Sequence, residues 1–198
     1  MYVYTYLKLS LLELSQKTIY TSKILSCVGD FMVEANLLVT HDPSHAGSAK
    51  EEVEKALKAI KQKAKFLKSD TDGVFKLRVG NAKKIVKSLS KLKSKKMFEH
   101  TAHWVPIDKW TAANVKSMQN EVKKLQKSIK KTEKWKLDLH KRHLDTPSTE
   151  LIIKLTEVVD KLKVDLENPQ KIIEVQIMGK KAGLALLNKD EIFIVGHK

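Results

Sequence analysis

The stretch Val164-Asp165-Leu166-Glu167-Asn168-Pro169, followed by Ile172-Ile173-Glu174-Val175-Gln176-Ile177, decides how the second half of the chain is read. It reads as a short strand, an Asn-Pro turn, and a strand in which Ile173, Val175 and Ile177 alternate with polar Glu174 and Gln176. Period two is what a half-buried strand requires: one face on a core, the other in water. The expectation is that Glu174 and Gln176 lie on the wet face.

Upstream of this stretch, Val115, Met118, Val122, Leu125 and Ile129 recur at three and four, which predicts a long amphipathic helix beginning near Trp110. Trp135, Leu137 and Leu139 then alternate with Lys136 and Asp138, a strand over Lys134 to His140. Pro147-Ser148 opens a further helix, with Glu150 favourably placed in its first turn and Leu151, Ile152, Leu155, Val158 and Val159 on its apolar face. Downstream, Gly179-Lys180-Lys181 turns into a strand over Ala182 to Leu187, and Ile192 to Val195 forms a last extended segment.

The preceding stretch has another rhythm. Ala35 to His41 reads as a buried strand ended by Asp42-Pro43-Ser44, and Val53, Ala56, Leu57 and Ile60 mark a helix over Ser48 to Lys63. Lys65 to Ser69 and Val74 to Val79 read as strands around the turn Asp70-Thr71-Asp72-Gly73. Asn81 caps a second helix with Ala82, Ile85, Val86, Leu89 and Leu92 on one face, and Phe98 to Ile107 is a fourth extended segment. The order is βαββαβ, the ferredoxin-like arrangement, so the fold class expected is α/β (α+β).

The chain has 198 residues and a net charge of +15, with 36 Lys and two Arg, Arg78 and Arg142. Such an excess points to a polyanionic partner, the alternative being a solubilising surface. Lysine as a mobile point charge suits backbone phosphate better than base edges. A lone cysteine, Cys27, excludes an internal disulfide and a Cys-based zinc cage, and fits a reducing cytoplasm. No run of eighteen uncharged apolar residues is present, so no membrane span is expected.

Basic helix faces are the main candidate site. Lys116, Lys123, Lys127, Lys130 and Lys134 fall on one stripe, as do Lys83, Lys84, Lys87, Lys91 and Lys95. Between Lys116 and Lys136, eight lysines are opposed only by Glu121 and Glu133, whereas a merely solvated face mixes signs. With Lys136, Lys141 and Arg142 they form the expected RNA-binding set, Arg142 being suited to hold a phosphate through two parallel hydrogen bonds.

The histidines pair as His41/His45, His100/His103 and His140/His143, but the second and third pairs fall on strands, where i and i+3 face opposite ways, and no metal site is expected. No phosphate-binding glycine loop, nucleophile elbow or deaminase signature occurs. Asp138, Glu150 and Asp165 read as solvated or capping carboxylates. Neither catalytic residues nor a cofactor is expected.

Several stretches together resemble the THUMP domain, an RNA-binding module of tRNA-modifying proteins. They are Trp135, Leu137, Leu139 and Arg142; Ser148-Thr149-Glu150-Leu151; Val164-Asp165-Leu166 with Asn168-Pro169; Ile173, Val175 and Ile177; and Ala182-Gly183-Leu184-Ala185. Gln170 departs from the acidic residue that often follows the Asn-Pro. The resemblance covers about 35 to 195. It implies a ferredoxin-like domain over 35–109, a THUMP domain with a mixed sheet over 110–198, and a grip on the tRNA acceptor region.

Members that are synthases, methyltransferases or deaminases carry a catalytic domain of their own, whereas this chain ends after the THUMP strands. Trp104-Val105-Pro106-Ile107-Asp108-Lys109-Trp110 is similar to archaeal stand-alone proteins related to the adaptor of tRNA cytidine acetylation. The implied function is a cytoplasmic, non-enzymatic adaptor presenting tRNA to a separate tRNA acetyltransferase. The alternatives are a general RNA-binding or ribosome-associated protein, and a small tRNA-modifying enzyme with an unrecognised site.

Residues 1–34 form an atypical extension, dense in apolar and aromatic residues from Tyr2 to Leu12. Three readings stay open: an added helix, a disordered tail, or translated upstream sequence with the start at Met32.

Overall fold

The computed structural model describes residues 33–92, 97–142 and 146–195; the extension read over 1–34 lies outside them but for its last two residues. From Ala35 onward the chain is one compact unit. Its elements are β1 (Leu37–His41), α1 (Ala46–Ala59), β2 (Ala64–Leu67), β3 (Val74–Val79), α2 (Ala82–Ser90), β4 (Thr101–Pro106), β5 (Lys109–Ala112), α3 (Val115–Leu125), β6 (Trp135–Arg142), α4 (Ser148–Thr156), β7 (Lys171–Met178), β8 (Lys181–Asn188) and β9 (Phe193–Ile194). Among the described residues the architecture is mixed α and β, with two sheets and four α-helices.

The first sheet runs β2-β3-β1-β4-β9, every neighbour antiparallel. The second runs β5-β8-β7-β6 and is mixed, because β6 and β7 pair in parallel from Trp135 opposite Lys171 to Arg142 opposite Met178. Three cores follow from the alternation of side chains. Leu37, Val39, Leu77 and Trp104 pack with Val53, Leu57, Ile85 and Leu89 of α1 and α2. Ile173, Val175 and Ile177 pack with Met118, Val122, Leu151 and Leu155 of α3 and α4. Between the sheets, Leu38, Val74 and Val105 meet Met178, Ala185 and Leu187. The layers are therefore helix, sheet, sheet, helix, and neither sheet has a fully wet face.

Local chemistry sets the helix starts. The side chains of Asn81 and Asn114 accept from the backbone N–H of Lys84 at 3.0 Å and Ser117 at 2.8 Å, satisfying donors that the first turn leaves open. Glu51 and Lys55, four apart on α1, pair at 3.4 Å. At Gly73, φ is +70° and an added Cβ would lie 3.0 Å from the His41 carbonyl, so the turn into β3 requires glycine.

Three expectations are corrected. Trp110 does not begin a helix; it sits in β5, and its buried indole donates to the Ala35 carbonyl at 2.6 Å. The helix starts five residues later and ends at Leu125, followed by a 3-10 turn over Gln126–Ser128. Val164 does not head a strand but makes one bridge to Trp135. The Asp165 carboxylate accepts from the backbone N–H of Asn168 at 2.8 Å and of Glu167 at 3.1 Å, donors a ladder would otherwise use, and so folds the segment into a capped loop. Glu174 and Gln176 are not on a wet face: they are 2% and 3% exposed, because the first sheet covers that side of β7. The last extended segment is present as β9, which pairs with β4 of the first sheet.

The tight packing of the β4–β5 link against β8 is testable at Gly183. A Cβ there would lie 3.0, 3.1 and 3.3 Å from three side-chain carbons of Ile107, which is itself 4% exposed. Gly183→Ala should cost about 1–2 kcal/mol in urea unfolding through overpacking. The double variant with Ile107→Ala should lose less than the sum of the singles, whereas strict additivity would show that Ile107 does not press on β8 there.

Candidate nucleic-acid interface

The expected RNA-binding residues divide into two groups. Lys116 and Lys123 on α3, Lys127 in the following turn, and Lys130 beyond it are exposed, and their side chains pair with no carboxylate among the described residues. They recur seven, four and three residues apart, close to one helical face. Their neighbour Lys124 is held by Glu121 at 2.7 Å. Lysine stems of this kind remain free to follow a phosphate backbone.

The second group is engaged by the protein. Lys134 reaches Asp165 at 2.8 Å, and that hydrogen bond, with those from the backbone of the capped loop, holds the Asp165 carboxyl below its ordinary range. Lys136 reaches Asp138 at 2.8 Å, and Lys141 donates to the Thr146 carbonyl at 2.6 Å. Arg142 is half-buried; its Nη1 donates to Gln176 Oε1 at 3.1 Å, and burial lowers its pKa. One edge of that guanidinium is thus committed within the fold.

The basic stripe on α2 is divided in the same way. Lys83 bridges Asp108 at 2.7 Å and the Leu186 carbonyl at 3.0 Å, tying α2 to β8, and Lys87 pairs with Asp190 at 3.0 Å, which raises its pKa. Lys84 and Lys91 are exposed, while Lys95 lies outside the described residues.

The histidines meet across the fold rather than within their sequence pairs. His45 stacks on His100 with centroids 4.6 Å apart, His41 stacks on Phe75 at 4.1 Å, and His103 meets His140 edge-on at 6.3 Å. His143 lies outside the described residues.

Sequence reasoning missed a polar cluster on the covered face of the second sheet. The parallel register sets Asp138 beside Glu174 and His140 beside Gln176. Gln176 Nε2 donates to Glu174 Oε1 at 2.7 Å, completing a relay from Arg142 through Gln176 to the carboxyl. His140 Nε2 lies 3.6 Å from the same oxygen. Burial, reinforced by Asp138 and opposed by the Gln176 hydrogen bond, pushes the Glu174 pKa up to about 7, and burial lowers that of His140. The cluster lines a cleft of about 720 Å3 that opens between β6 and the β4–β9 edge, with Ile172, Ile192 and Phe193 on its walls. The signal for it was present in two polar alternations, one on β6 and one on β7, which parallel pairing brings to one face.

No family model and no curated protein sequence matches the chain. Solved structures share its fold. PH1313 from Pyrococcus horikoshii Ot3 superposes with a TM-score of 0.58 at 14% identity, over 81% of this chain and 55% of that one. TrmN from Thermus thermophilus gives 0.50 at 15%, over 76% and 44%. SMU.472, described as a putative methyltransferase complexed with SAH, gives 0.50 at 14%, over 79% and 42%. The chain spans about half the length of the structures it matches, and at these identities the likeness is one of fold.

Proposed function

We propose that this chain is a THUMP-type tRNA-binding protein, with a ferredoxin-like unit over 35–109 and a THUMP unit over 110–198. It holds the tRNA acceptor region for a separate modification enzyme, a tRNA cytidine acetyltransferase, and carries out no chemistry itself. The observation that carries the RNA-binding part is the row Lys116, Lys123, Lys127 and Lys130, exposed on α3 and just past it and unpaired with acids among the described residues. A net charge of +15 supplies the long-range attraction. Lys134, Lys136, Lys141 and Arg142 flank that row in the same role, through whatever donors their internal contacts leave. The strand order β2-β3-β1-β4, with a helix in each crossover, supports the ferredoxin-like reading. The recurrence of this fold as part of a longer chain described as a putative methyltransferase supports an accessory role in modification.

One observation favours a second reading. Glu174, a buried carboxyl whose pKa burial raises, lies 3.6 Å from the more exposed imidazole of His140, the kind of pair that small active sites use. A single assay separates the readings: the purified chain with tRNA, acetyl-CoA and ATP should form no acetylated cytidine until a tRNA acetyltransferase is added. Product formed by the chain alone would overturn the adaptor role. Equal affinity for tRNA and unstructured RNA would make it a general RNA binder instead. No described helix is long and apolar enough to cross a membrane, and we place the protein in the cytoplasm.

A further inference from the structure

We propose that the hollow between the outer edge of β2 and the end of α1 docks an extended, acidic segment of a partner protein, which adds to the first sheet as one more strand. The site is built from other elements than the lysine row of α3, and it stands whether or not that row grips RNA.

The strand edge carries the backbone part. β2 is an outer strand of its sheet, and its one partner among the described strands is β3. The Asn36 side chain accepts from the Val79 N–H at 2.8 Å and donates to the Val79 carbonyl at 2.9 Å, so Val79 turns its main-chain groups toward β1. These groups alternate in direction along a strand, so Arg78 and Lys76 turn theirs toward β2, where they face Lys65 and Leu67. Ala64 and Phe66 therefore direct their N–H and C=O outward, and no described residue takes them. Such a row of unmade hydrogen bonds is what a further strand pairs with.

Charge chooses the occupant. Beside that edge lies a hollow of about 670 Å3, lined by Leu57, Ala64 and Phe66 and by Lys58, Lys61 and Lys63. Strand addition next to a helix uses such a hollow for alternate side chains of the peptide. From Lys55 to Ser69 the chain holds six lysines and no acid. Lys58, Lys61 and Lys63 are exposed and pair with no carboxylate among the described residues. Glu54, the one acid on the lining, lies 4.0 Å from Lys50. Lys61 has φ of 55°, a left-handed position after α1 where glycine is usual, and places a cation on the lining at some cost in backbone energy. The same lysines exclude a second copy of this chain, because antiparallel pairing of two β2 strands would set Lys63, Lys65 and Lys68 of both copies against one another. An acidic strand meets them as partners. Nucleic acid would meet the lysines too, but the alternating donors and acceptors of a strand edge match a peptide backbone.

The test is the affinity of the full chain for a labelled decapeptide of alternating glutamate and valine, by fluorescence anisotropy at low salt, with the lysine–valine decapeptide as control. The acidic peptide should bind about tenfold or more tighter than the basic one. N-methylating its valines and N-methylating its glutamates block opposite edges of the peptide, so one of the two should abolish binding and the other preserve it. Lys58→Glu, Lys61→Glu and Lys63→Glu together should weaken binding about tenfold at an unchanged melting temperature. No binding of the acidic peptide, equal binding of the two peptides, or an equal effect of the two methylations overturns the strand site. A triple variant that loses affinity for a uridine octamer but none for the acidic peptide assigns these lysines to RNA and overturns it as well.

Discussion

Glu52→Ala should lower the stability of this protein by about 3 kcal/mol, one of the two largest losses expected from a single side chain. Glu52 lies on α1, is 9% exposed, and accepts from three consecutive backbone N–H groups: Glu99 at 2.9 Å, His100 at 2.8 Å and Thr101 at 3.0 Å. Those donors lead into β4, the strand on which the first sheet and β9 both depend. Hydrogen bonds to a charged acceptor each contribute roughly 1.5–3 kcal/mol, and removing the acceptor strands donors that are largely out of water. Glu52→Gln keeps one acceptor oxygen but turns an amide N–H2 toward the N–H row, so an intermediate loss is expected. Denaturant unfolding measures both variants. A shift under about 0.5 kcal/mol for Glu52→Ala would show that water satisfies these groups as well as the carboxylate does.

The second large effect is a dependence on pH. The folded pKa of Glu174 is raised from 4.5 to about 7. Below 4.5 the folded and unfolded chains both hold the proton. Between 4.5 and 7 only the folded chain holds it, so stability falls as pH rises through this window. The loss amounts to about 3 kcal/mol by the time pH passes 7, since one unit is about 1.4 kcal/mol. Glu174→Gln keeps the shape without the ionisation. It should therefore remove this slope and be more stable than the wild type at pH 8. His140 shifts the opposite way, and taking the difference between wild type and variant at each pH largely removes its contribution. Parallel stability curves for the two proteins would mean that water or a cation already stabilises the Glu174 carboxylate.

Both carboxylates show where the sequence is readable and where it is not. The alternation in β6 and β7 and the turn-bounded runs at β1 and β3 placed those strands, and the apolar stripes of α1, α2 and α4 placed those helices within a few residues. Alternation states which residues share a face, though, and says nothing of what covers it. Glu174 and Gln176 read as wet because the covering sheet, formed by residues far away in the chain, has no local trace. Glu52 stands among Glu51 and Glu54 with nothing to mark it as the buried one. Trp110 reads as part of the helix that follows because a four-residue strand is too short to show a period. In the lysine set, helical spacing put Lys134 on one stripe with Lys116, Lys123, Lys127 and Lys130, but the chain leaves the helix before Lys134, and the partners of Lys134, Lys141 and Arg142 come from other elements and loops while Lys136 pairs with Asp138 on its own strand.

The central claim, that a lysine row on α3 and the turn after it grips RNA, is most directly tested by the salt dependence of tRNA affinity. Each phosphate neutralised contributes roughly 0.7–0.9 to the slope of log K against log salt. Reversing Lys123, Lys127 and Lys130 to Glu should flatten that slope by about 2 or more and leave the melting temperature nearly unchanged, because exposed lysines contribute little to folding. A slope identical to that of the wild type would show that this face is only solvated and that RNA, if bound, is held elsewhere.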